Sequence, residues 1–197
     1  MQALNCRDAT PRFQTMSKNQ LLAAFALLLA GNSVAAEETQ MKLNPDWEYV
    51  ADGVMGGVSS GRATKAEVKG REAMRLQGQV SLDNNGGFVQ MAFDLGPDGG
   101  AFDASEWSGI WLEVSGNHEE YDLRLRTDEL SRPWQSFRAD FVAPEEWTEI
   151  RMPFTDFEPH RTDTALNTER LRRIGVLAIG REFEADVAVA AVGLYKD

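Results

Sequence analysis

Tyr121-Asp122-Leu123-Arg124-Leu125-Arg126-Thr127 alternates apolar and charged side chains with a period of two, the signature of a half-buried β-strand. The period sends Leu123 and Leu125 to one face and Asp122, Arg124 and Arg126 to the other. The neighbours on either side repeat it. Ile110, Leu112 and Val114 alternate with Trp111 and Glu113, and Phe137 and Phe141 alternate with Ser136, Arg138 and Asp140. Working outward, further candidate strands are Trp47–Val50, Arg62–Lys69, Ala73–Leu82, Phe88–Leu95, Gly109–Ser115, Trp134–Val142, Thr148–Phe154, Ile174–Ile179 and Ala185–Tyr195. Turn signals part them every 8 to 15 residues or so, which predicts an all-β sandwich of one domain. Asp83-Asn84-Asn85-Gly86-Gly87 reads as a tight hairpin with Asn85-Gly86 at its tip. The one helix expected is a turn over Glu169–Arg173 capped by Thr168.

The first 36 residues read differently. Lys18 precedes the apolar run Leu21–Ala30, and small residues follow up to Val34-Ala35-Ala36, the order of a secretory signal cleaved after Ala35 or Ala36. The run is about half the roughly 20 residues that a membrane span needs. Met16 would start such a signal by itself, so residues 1–15 are read as a misplaced start. The expected mature chain is 37–197, in the periplasm or outside the cell, with no stable membrane insertion after cleavage. It loses Cys6, the only cysteine, and with it any disulfide, thiol nucleophile or thiolate metal site. The whole chain already carries a formal charge of −11, which disfavours nucleic acid as a partner.

Asp52-Gly53-Val54-Met55-Gly56-Gly57-Val58-Ser59-Ser60-Gly61 packs four glycines and two serines around Val54, Met55 and Val58. Such density marks a loop with positive φ or close backbone approach, and Met55 and Val58 are expected to point inward. Gly57 to Gly61 also matches G-x-S-x-G, which in a hydrolase needs a strand-to-helix turn and a later histidine. Here an alternating segment follows Ser59, and His160 is the one base candidate. Asp52, Asp83, Asp94 and Asp156 are oxygen donors without an EF-hand spacing, so no metal and no cofactor is expected. A backbone anion nest in the loop is a weaker reading still, for it lacks a P-loop lysine.

The order of motifs resembles the complex I intermediate-associated protein 30 family, a galactose-binding-like jelly roll. The resemblance rests on Trp47, Asp52–Gly61, Gly78–Phe88, Gly109-Ile110, Tyr121–Thr127, Trp147, Pro153–Pro159 and Ile174-Gly175. It implies a non-enzymatic module that binds a protein partner as an assembly or chaperone-like factor. The chain departs from the family in its export signal and in His160–Thr164, which lacks an Arg-Gly turn. A carbohydrate-binding module is the alternative, with sugars held on the polar face. The candidate binding residues are Asp52, Met55, Ser59, Asn84, Asn85, Trp111, Glu113, Arg124, Arg126, Trp134, Arg138 and Asp156; none is assigned a catalytic role.

Overall fold

Twelve strands build two antiparallel sheets in the computed structural model, which describes residues 39–196. The expected signal, 1–36, lies outside the described residues. The strands are β1 (Gln40–Lys42), β2 (Glu48–Ala51), β3 (Ser60–Val68), β4 (Arg71–Val80), β5 (Phe88–Asp94) and β6 (Gly109–Gly116). They continue with β7 (Glu120–Thr127), β8 (Ser136–Val142), β9 (Thr148–Pro153), β10 (Glu158–His160), β11 (Leu171–Ile179) and β12 (Phe183–Tyr195). The first sheet runs β3-β4-β12-β6-β9, with β1 pairing the last three residues of β12 beyond the end of β4. The second runs β10-β8-β7-β11-β5-β2. The all-β sandwich expected from the alternation is what forms, and it is the jelly roll that the resemblance implies.

The core lies between the sheets. Leu76, Ile110, Leu112, Val114, Val187 and Leu194 of the first face Met91, Leu123, Leu125, Phe137, Ile174 and Val176 of the second, all fully buried. Burying each such side chain contributes roughly 1.5–3 kcal/mol, enough to fix the register. Leu123 and Leu125 therefore point inward and Arg124 and Arg126 outward, as the alternation requires. Tyr121 is also buried in this layer; its hydroxyl donates to Asn117 Oδ1 at 2.7 Å and accepts the Asp186 N–H at 2.9 Å.

Three local expectations are corrected. The Asp83–Asn85 turn, with Asn84 at φ 56°, is no hairpin tip, for it carries the chain from β4 in one sheet to β5 in the other. The two-residue hairpin is instead Lys69-Gly70 between β3 and β4, both residues at positive φ. The helix over Glu169–Arg173 shrinks to one 3-10 turn, Thr168–Arg170, capped by Asn167 rather than Thr168. From Leu171 onward, pairing in β11 overrides local helix preference. Among the described residues no helix is long and apolar enough to cross a membrane.

Candidate functional site

Asp52 ends β2 in a 3-10 turn, Asp52–Met55, closed by Gly56 at φ 90°. Its carboxylate is fully buried and accepts four hydrogen bonds. They come from the Ser59 N–H at 3.0 Å, the Ser59 hydroxyl, the Gly87 N–H at 2.6 Å and the Phe88 N–H at 3.2 Å. Burial pushes this carboxyl up, but the hydrogen bonds outweigh burial and hold it below its ordinary value. The backbone must come close to deliver them. A Cβ on Gly57 would lie 2.4 Å from Asp52 Cγ, and one on Gly86 2.6 Å from Asp52 Oδ2.

The loop is thus built around a charge, and its apolar side chains are left outside. Val54 is 77 % exposed, Met55 58 % and Val58 50 %; Leu82, just past β4, is exposed as well. The expected inward packing of Met55 and Val58 is overturned, because the carboxylate and its donors occupy the interior they would have filled. Ser59 holds the frame as well, since its Oγ also accepts the Ser81 N–H at 3.0 Å. The chain then enters β3, not a helix, so the geometry of a nucleophile elbow is absent here. Asn84 is exposed in the turn that Asp52 grips through Gly87, and Asn85 belongs to the same turn.

The polar face expected to hold sugars is divided between the sheets. Trp111 and Glu113 belong to β6 in the first sheet, Arg124 and Arg126 to β7 in the second. Trp111 is buried in a small outer cluster with Ala191 and Tyr195, and Glu113 pairs with Arg71. They share no surface with the arginines.

Part of the second sheet's outer face is shielded from solvent. Ala92, Asp122, Ser136 and Leu177 lie on it nine-tenths or more buried, although they stand outside the core cluster. Gly175 and Ala92, cross-strand partners, form a floor almost without side chains. Around it Arg124 donates through Nη2 and Nε to Asp122 at 2.9 and 3.1 Å. Burial raises the Asp122 pKa despite Arg124, and nearby Asp140 adds to the rise. Arg173 reaches Asp94 at 2.8 Å and Glu48 at 2.6 Å. Burial and the charges of Arg124, Arg138 and Arg161 push His160 down. Trp134, half-exposed, precedes β8 under the guanidinium of Arg132.

Arg138 and Asp156 both line a cleft of ≈ 500 Å³ where the edge of β8 faces β9. Asp140, Ile150, Met152 and Glu158 also line it. Strand β10 covers β8 only from Ser136 to Arg138, so the cleft opens where that pairing stops. Sequence reasoning missed Val54, Leu82, Arg172 and Arg173. For the last two a signal existed, a basic doublet at the strand's start, but the strand was begun at Ile174. Among the described residues no group of three or more His, Cys, Asp or Glu is placed to hold a metal ion.

Residues 36–188 match the family model of complex I intermediate-associated protein 30. Among solved structures, the chain is similar to the family 11 carbohydrate-binding module of the cellulosomal cellulase Lic26A-Cel5E of Clostridium thermocellum. Identity is 14 % and the TM-score 0.65, over 80 % of this chain and 95 % of that one. A family 30 carbohydrate binding module is similar at 12 % identity and TM-score 0.55, over 82 % and 90 %. No curated protein matches in sequence. At such identities the structural likeness speaks for the fold alone.

Proposed function

Because the chain belongs to the complex I intermediate-associated protein 30 family, we propose that it is a non-enzymatic module that docks a protein partner, as an assembly or chaperone-like factor. Family and fold together support a non-catalytic binding domain. The family's name is that of proteins associated with an intermediate of complex I. The single observation that carries the protein partner is the loop at Asp52. Three of the large exposed apolar side chains, Val54, Met55 and Val58, belong to this one loop, which Asp52 ties to the turn at Gly87, and exposed Leu82 leads into that turn. Clustered apolar exposure of this kind marks interaction sites, and methionine is enriched in the cores of interfaces.

The leader read at residues 1–36 makes this an exported factor, which N-terminal sequencing of the mature protein checks. A tagged full chain, cross-linked in its own cells, tests the docking surface. Capture of a specific protein by the wild type and its loss in a Val54→Asp, Met55→Asp variant supports the reading. Equal capture by both sinks it.

A further inference from the structure

The arginine end of the second sheet lies away from the Asp52 loop: Arg126 and Arg173 stand at one end of their strands, whereas the loop leaves β2 beside the start of β5, at the other. A β-bulge between Leu171 and Arg173 breaks the alternation of β11, so that Arg172 and Arg173 both stand beside Arg126. Arg173 has Asp94 and Glu48, but Arg126 and Arg172 have no carboxylate within 4.0 Å among the described residues. Arg126 Nη2 donates only to the carbonyls of Leu130 and Arg132, at 3.5 and 3.1 Å. Its Nε, the Nε of Arg172 and the Oγ of Ser136 are buried without a partner. Ser136 is nine-tenths or more buried and lies on the same outward face, paired with His160 across to β10.

Half-buried guanidiniums set side by side repel one another, and buried donors left without a partner cost stability. Folding to this arrangement makes sense where an anion completes it, and the planar fork of arginine fits a carboxylate. We propose that this end of the face binds a sugar acid, its carboxylate received by Arg126, Arg172 and Ser136. The rest of the face selects what carries the carboxylate. Gln90 and the Asp122–Arg124 pair border the Gly175–Ala92 floor and offer hydrogen bonds to hydroxyls. An acidic peptide would press further carboxylates against Asp122, Asp140 and Asp94. A sugar acid carries one carboxylate among neutral hydroxyls and meets both halves. The site stands independently of the protein-docking loop.

Isothermal titration calorimetry on the full chain tests it, with D-galacturonate, trigalacturonate, the galacturonate methyl ester and a glutamate-rich peptide as probes. The acid is expected to bind at least tenfold more tightly than its uncharged ester, and more weakly as salt rises. Trigalacturonate brings two further carboxylates toward Asp122, Asp140 and Asp94 and is expected to bind more weakly than the monomer; tighter binding of the trimer overturns the single-carboxylate reading. Arg126→Gln is expected to lose tenfold or more in affinity while melting no lower than the wild type, since it also removes repulsion. Should that variant fail to fold, Arg172→Gln carries the same expectation. Equal binding of acid and ester, undiminished binding in a folded arginine variant, preference for the peptide, or no binding of either galacturonate probe overturns the proposal.

Discussion

The carboxylate of Asp52 accepts the backbone N–H of Gly87 at 2.6 Å, joining a loop to a turn 35 residues away. That bond crosses from the end of β2 to the start of β5, and with the Ser59 bonds it clamps three segments of chain around one buried charge.

Asp52→Ala should therefore cost roughly 3 kcal/mol, since it strands several buried donors at once. The wild type should also lose stability in acid. The folded pKa lies below the unfolded value of about 3.9, so the contribution is complete above that value and disappears as pH falls through the folded one. Urea midpoints measured downward from pH 5 should drop below about pH 4 in the wild type. They should drop less steeply in Asp52→Asn, and parallel profiles would remove Asp52 from the account.

Gly57 and Gly53 share the loop but not its constraint. A Cβ at Gly57 collides with Asp52 and with Gly86 Cα at 2.7 Å, whereas one at Gly53 meets nothing within 4 Å. Gly57→Ala should cost roughly 2 kcal/mol or more and Gly53→Ala less than about 0.5 kcal/mol, measured by thermal melting.

The exposed side chains of the loop bear little of the fold. The Val54→Asp, Met55→Asp variant should melt within about 0.5 kcal/mol of the wild type, because neither residue joins the core. A larger loss would mean that the loop packs inward in solution and is no docking surface.

Tyr121→Phe should cost about 1–2 kcal/mol by leaving the Asp186 N–H without its acceptor. Burial holds this phenol above its ordinary pKa, with the Asp186 N–H opposing and the Asp186 and Glu119 charges assisting. Its contribution is complete below the unfolded value of about 10 and is lost as pH rises through the folded one. The wild type should lose stability in alkali more steeply than Tyr121→Phe, as denaturant melts above pH 10 will read.

Much of this fold is legible in the alternation itself. The inward face of Leu123, Leu125 and Phe137 follows from period two, because one slipped residue would expose the whole set. Period two says which face a residue takes but not which sheet its strand joins. Consecutive β6 and β7 lie in different sheets, and Trp111 was therefore placed beside arginines it never meets. Strands β1 and β10 have three residues each, too few to display a period. The loop failed for another reason. Hydrophobicity alone sends Met55 inward, but four hydrogen bonds to Asp52 outbid it, and no local pattern announces that a turn 35 residues on will supply two of them.

Labour around Asp52 is divided between residues that hold the backbone together and residues that face solvent. Asp52, Ser59, Gly57 and Gly86 set the frame; Val54, Met55 and Val58 ride on it. The riders can be exchanged without touching the frame, much as the tip of a tool changes on a fixed handle. A chain organised this way can change the side chains it displays in single substitutions, each leaving the sandwich folded at every step.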